Sequence, residues 1–230
     1  MNMSRSSLAF TIFIAVLTAL PLGAAQQEQP NIVLFFVDDM GWSDLGYRNP
    51  IFESPNIDAL AEESVDYLQA YIATPTCSPS RATLLTGQHP ARLRIVRHIP
   101  KDEANGFDKY ARTEKEFNLL KTDPAQFPSR NWVPLENVTY AEALSDLGYY
   151  NLFAGKWHLG HEPYHPIEQG FDRQIGTSNA GHPSSYYPEY FKNSDVLQDE
   201  TERYLTDLLT DETVGFIEDY DRDQPFMISM

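Results

Sequence analysis

The chain has 230 residues, 42% hydrophobic and 22% charged, with 17 basic against 33 acidic side chains for a formal charge of −16. That length and apolar content suffice for one domain with its own core and argue against disorder, while the acidic excess and the lack of any basic run argue against a nucleic-acid partner. A single cysteine excludes an internal disulfide.

The first predicted element is a targeting segment. Arg5 gives a positive start, Leu8 to Leu22 is a largely apolar run without charge, and Gly23-Ala24-Ala25 offers small residues at a cleavage point. Residues 1–25 are therefore expected to be a signal peptide cut after Ala25. The run is shorter than the ~20 residues a span usually needs, so no stable membrane insertion is expected. Residues 26–230 then form the mature, exported domain, periplasmic or secreted, one unit more acidic for the loss of Arg5.

Asn31 to Val37 is a continuous β-branched and aromatic run, predicting a strand buried on both faces as in a parallel sheet. It stops at Asp38-Asp39, and the carboxyl end of a buried strand is where open α/β sheets bind ligands. Ser54-Pro55 reads as N-cap and first helical residue, followed by Ile57, Leu60, Ala61, Val65 and Leu68 at helical spacing. Tyr71 to Pro79 reads as a loop, and Arg81 to Thr86 as a helix closed by Gly87. From Pro100 to Pro134 the pattern loses its period and suggests a long surface excursion. Thr139 and Glu142 form a capping-box pattern ahead of Ala143, Leu144 and Leu147, with Gly148 as the C′ residue. Tyr149 to Ala154 reads as a strand ending at Gly155-Lys156-Trp157-His158, and Gly160 to Asp199 as loop. Leu205 to Ile217 marks one or two helices, and Pro225 to Met230 begins another strand. Strands and helices alternate, predicting an α/β fold with a mainly parallel central sheet flanked by helices.

A lone thiol in an exported chain needs a purpose or a burial, which directs attention to Cys77. It lies in Thr74-Pro-Thr-Cys-Ser-Pro-Ser-Arg-Ala-Thr-Leu-Leu-Thr-Gly87. The core Cys77-Ser78-Pro79-Ser80-Arg81 resembles the sulfatase signature C-x-P-S-R. Together with the strand-end Asp38-Asp39 and Gly155-Lys156-Trp157-His158-Leu159-Gly160, it makes the chain similar to the N-terminal part of a formylglycine-dependent, arylsulfatase-like enzyme of the alkaline phosphatase superfamily. The resemblance runs from Asn31 to the end.

The resemblance implies a maturation enzyme that oxidises Cys77 to Cα-formylglycine, whose hydrate attacks sulfur with one hydroxyl and expels sulfate with the other. It implies one Ca²⁺ held by Asp38, Asp39 and residue 77, with a later Asp-Asn pair completing the shell. Arg81 would lie beside the nucleophile, Lys156 would contact sulfate and formylglycine, and His158 would serve the hydroxyl that drives release. If Lys156 to His158 is extended, both side chains face one pocket. The expected substrate is a sulfated small molecule or polysaccharide. The later His, the Asp-Asn pair and a second Lys are not identifiable here, so the sequence reads as truncated and this piece alone is expected to be inactive. Two other readings remain: a phosphonate or phosphate-ester hydrolase of the same superfamily, and a non-catalytic sulfate-binding module. His182, in a Gly/Pro/Ser/Tyr loop, is a candidate for lining the substrate pocket.

Overall fold

The structure is a computed structural model that describes residues 29–99, 116–118, 127–191, 197 and 202–230. The signal-peptide segment and the centre of the 100–134 excursion lie outside the described residues. In chain order the elements are β1 (Ile32–Leu34), α1 (Pro55–Glu62), α2 (Cys77–Thr86), α3 (Pro90–Leu93), β2 (Phe117–Asn118), β3 (Ser129–Arg130), α4 (Tyr140–Ser145), β4 (Tyr150–Lys156), a 3₁₀ turn (Pro166–Gln169), β5 (Arg173–Ser178), α5 (Leu205–Glu218) and β6 (Phe226–Ser229).

The central sheet runs β1-β6-β4-β5 with every pair parallel, as the alternation of strands and helices predicts. Ile32 stands opposite Met227 and Tyr150 opposite Phe226, so β6, last in sequence, lies in the middle of the sheet. β2 and β3 form a separate antiparallel pair.

Side chains of β4 alternate between two cores, as strand geometry requires. Phe153 points to a cluster with Ala82 and Leu85 of α2, Leu93 of α3, Ala141 of α4, Trp157 and Phe171. Leu152 and Ala154 point the other way, to Phe216 of α5 with Ile175, Phe226 and Ile228. The sheet is thus sandwiched by α2, α3 and α4 on one side and α5 on the other.

Several elements differ from the sequence reading. β1 is shorter than Asn31 to Val37, although Phe36 N–H still donates to the Met230 carbonyl at 2.8 Å. It is not buried on both faces: Val33, Phe35 and Val37 alternate outward, Phe35 at 67% exposure. The reason is position, since β1 is the edge of the described sheet and no described element covers its outer face. α1 ends before Val65 and Leu68, and Ser54, at its N-cap, bonds Asp58 and Gly46 instead of capping the helix through its side chain. α2 begins at Cys77, four residues earlier than the polar loop composition suggests. β5 falls in the stretch read as loop. Its polar sequence hides the pattern, yet Ile175 and Thr177 are buried.

The capping box at α4 has both reciprocal bonds, Thr139 Oγ1 accepting from Glu142 N–H at 3.0 Å and Glu142 Oε2 from Thr139 N–H at 2.8 Å. Thr139 Oγ1 also donates to the Gln169 carbonyl at 2.8 Å, tying α4 to the turn before β5. Gly170 closes that turn at φ +94° because a Cβ there would lie 2.6 Å from the Glu142 backbone nitrogen.

Candidate active site

The carboxyl ends of β1 and β4 and the N-terminus of α2 meet at one point. After β1 the chain leaves the sheet through Asp38 and turns at Asp39, whose φ is +58°. α2 starts at Cys77 after the extended Thr76. The Thr74 hydroxyl, bonded to Thr76 and in contact with Ser80, holds the preceding loop against the first turn. Cys77 thereby points its thiol at Asp38, with Sγ 3.6 Å from Oδ1. Among the described residues, Asp38, Asp39 and Cys77 are the group of potential ligands whose donor atoms all lie within 4.8 Å of one another. They share a cleft of about 210 Å³ with Phe36, Thr76 and Ser80.

Two cations close on Asp38. Arg81 donates from Nη2 to Oδ2 at 2.9 Å and from Nε at 3.3 Å, and Lys156 Nζ reaches the same oxygen at 3.0 Å. Arg81 Nη1 donates to the Lys156 carbonyl at 2.6 Å, so one guanidinium fixes both strand ends. Burial pushes the Asp38 carboxyl up, but the hydrogen bonds and charges of Arg81 and Lys156 outweigh it and hold its pKa below the ordinary value. The carboxylate stays ionised and oriented.

His158 is placed differently from the extended reading. Trp157 and His158 N–H groups share the Ser178 carbonyl, and the backbone at His158 turns into the left-handed region at φ +59°. The imidazole is buried, 5% exposed, with Nε2 3.0 Å from the Ile99 carbonyl. A carbonyl only accepts, so Nε2 carries the hydrogen and Nδ1 holds the free lone pair. Nδ1 is buried and has no hydrogen-bond partner among the described residues. Burial first, then the positive charge of Lys156, lowers the His158 pKa from 6.5 to about 4, so the ring is neutral near pH 7. Ile99 N–H in turn donates to Ser78 Oγ in the first turn of α2. His98 stacks on the imidazole at 5.7 Å, and a Cβ at Gly181 would come within 3.0 Å of Cε1.

The geometry brings Asp38, Asp39, Cys77, Arg81 and Lys156 together, while His158 meets this group through Ile99 and Ser78. A second pocket of about 290 Å³ is also lined by Asp38, Asp39 and Lys156, together with His182, Pro183, Tyr186 and Phe191. Tyr186 and Phe191 carry no motif and are placed by folding alone. His89, by contrast, caps α3 by accepting from Ala91 N–H, Trp157 lies in the core, and Trp42 stacks beneath Arg48.

The donors fit a hard cation: Asp38 and Asp39 offer oxygens, and the Cys77 sulfur occupies the place an oxidised residue would fill with oxygen. The fixed cations and the free N–H groups at the start of α2 suit a tetrahedral anion.

Residues 30–230 match the family described as Sulfatase. The chain is 39% identical over 191 residues to N-acetylgalactosamine-6-sulfatase of Rattus norvegicus, covering 82% of this chain and 33% of that protein. It is 38% identical over 166 residues to arylsulfatase A of Homo sapiens, covering 70% and 28%. The crystal structure of Ps i-CgsB superimposes with a TM-score of 0.68 at 26% identity, covering 88% of this chain and 44% of that one. The same protein has been solved in complex with k-i-k-neocarrahexaose. The chain thus spans about a third of the length of these curated relatives.

Proposed function

Because the chain belongs to the sulfatase family, we propose that the full-length, exported protein hydrolyses the sulfate ester of a carbohydrate. One observation carries the reading: Asp38, Asp39 and Cys77 present ligand atoms within 4.8 Å of one another at the start of a helix, with Arg81 and Lys156 fixed on the same carboxylate. The names of the rat relative and of the oligosaccharide complex support a sulfated sugar as substrate.

Cys77 is the residue a maturation enzyme would convert to formylglycine, which when hydrated supplies two hydroxyls on one carbon: one bonds to sulfur as the sugar alcohol leaves, and the other loses its proton to re-form the aldehyde as the carbon–oxygen bond to sulfate breaks. Asp38, Asp39 and residue 77 would hold one Ca²⁺, which when bound polarises the oxygens it touches. Lys156 keeps a cation at the pocket floor, where it offsets the charge that builds on a sulfate in transit. Arg81 holds Asp38 and the end of β4 in register and acts as a positioning residue. The first turn of α2 adds its N–H groups and dipole to the anion's side. Neutral His158 has Nε2–H committed to Ile99 and a lone pair free at Nδ1, which would accept the proton that the second hydroxyl of residue 77 loses as sulfate leaves.

Mass spectrometry of the Cys77 peptide from a host with the maturation machinery, paired with turnover of a sugar sulfate and an aryl phosphonate, tests the reading. The expected result is aldehyde at residue 77 and a kcat/KM that favours the sulfate. An unmodified thiol in an active protein, or preference for the phosphonate, overturns it. Chelation is expected to abolish turnover and lower Tm, with Ca²⁺ restoring both.

A further inference from the structure

The pocket beyond Lys156 ends in aromatic rings that the proposed chemistry does not use. Its floor is Asp38, Asp39 and Lys156, and its outer wall includes His182, Pro183 and Tyr186. Tyr186 remains 49% exposed, and its ring is backed by Tyr204, stacked at 5.5 Å and 21°. Tyr187 leans on the same Tyr204 at 5.6 Å.

Exposed tyrosines on a loose loop would be unremarkable, but this loop is tied at three points. Ser184 N–H donates to the Tyr190 carbonyl at 2.7 Å, Tyr190 Oη donates to the Arg203 carbonyl at 2.8 Å, and Leu205 N–H donates to the Tyr186 carbonyl at 2.8 Å. The Tyr186 ring is therefore held in place before any ligand arrives, which lowers the ordering cost of binding.

We propose that Tyr186 is the stacking platform of a monosaccharide subsite: the C–H face of one pyranose lies on its ring while the ester group points to Lys156. A pyranose has an apolar C–H face and a hydroxyl rim, and a tyrosine ring presents a matching flat face with a polar edge. The pocket's 290 Å³ sits at the lower end of the roughly 300–1,000 Å³ of ordinary ligand sites. It admits one ring with its sulfate and leaves further units of a chain outside. This inference rests on the proposed sulfatase activity and adds the residue that selects the sugar.

The test measures kcat/KM for N-acetylgalactosamine 6-sulfate and for 4-nitrophenyl sulfate in the matured full-length protein and in its Tyr186→Ala and Tyr186→Phe variants. In Tyr186→Ala the sugar-to-aryl ratio is expected to fall about tenfold, mainly through the sugar's KM, with Tm held. Tyr186→Phe keeps the ring and is expected to keep the ratio. Loss of both activities in equal measure, an unchanged ratio in Tyr186→Ala, or a lost ratio in Tyr186→Phe overturns the platform. Wild-type protein that cleaves only the aryl ester overturns the subsite and the carbohydrate as substrate, and leaves sulfate-ester hydrolysis standing. Wild-type protein that cleaves neither ester removes that reading and the subsite with it.

Discussion

Arg81 has a protein acceptor for each of its three nitrogens, two of them on Asp38 Oδ2 and one on the Lys156 carbonyl. A lysine there keeps the charge and loses the fork. Arg81→Lys is expected to lower kcat/KM about 10- to 100-fold, the scale of a small misplacement at a reacting centre, with a smaller effect on Tm. Cys77→Ala removes the only atom that can become the proposed nucleophile, so sulfate-ester turnover should vanish; retention of most activity would mean another nucleophile. His158 yields a prediction about pH. Its pKa in the fold is about 4, below the 6.5 of an unburied histidine, so between these values the unfolded chain binds the proton and the native chain does not. Its contribution is complete above pH 6.5 and is lost as pH falls toward 4, on the order of 3 kcal/mol. Urea unfolding across that window should show a shallower pH slope in His158→Gln than in wild type; equal slopes would refute the assignment.

At the level of elements, the turn joining α4 to β5 is the sharpest place to test packing. Thr139→Ala removes the cap and leaves the Gln169 carbonyl without its donor, and is expected to cost about 2 kcal/mol in urea unfolding. Gly170→Ala should cost more, because its Cβ would sit 2.6 Å from the Glu142 nitrogen at a φ of +94°. The same region shows what can be read from sequence. α4 was legible because a capping box is local chemistry, and β4 because its apolar run is buried on both faces. β5 was not legible: Arg173, Gln174 and Gly176 break the strand pattern, and only its place beside β4 makes it a strand. The exposure of Phe35 could not be read either, since an apolar run states what a strand prefers to touch and not what lies over it. At the site, the lone cysteine and the strand-end acid pair drew attention by residue type, while the roles of Asp38, Asp39, Cys77, Arg81, Lys156 and His158 came from the resemblance of their motifs to sulfatases. The shared carboxylate oxygen, the turn at His158 and the pocket wall at Tyr186 depend on contacts between distant segments.

On the scale of the chain as a whole, a formal charge of −16 sets a field that a local pair of cations does not cancel. A polysulfated substrate of the proposed enzyme would meet this part of the protein against that field, within a Debye length of about 8 Å at physiological salt. Added salt up to a few hundred millimolar is therefore expected to raise kcat/KM for a sulfated polysaccharide more than for a monosulfated sugar; the reverse ordering would indicate a cationic approach path on residues outside those described. The strand order has a consequence of another kind. β6 stands between β1 and β4, and its first residue bonds Asn31 across 195 positions of chain. Ribosomal synthesis delivers Cys77 long before it delivers that central strand. Until Phe226 to Ser229 emerge, β1 has no described strand to pair with, and Asp38 at its end is not yet held beside Cys77 and Lys156 by the sheet. Topology thus sets a schedule, in which this corner of the site is completed by the last-made strand of the described sheet.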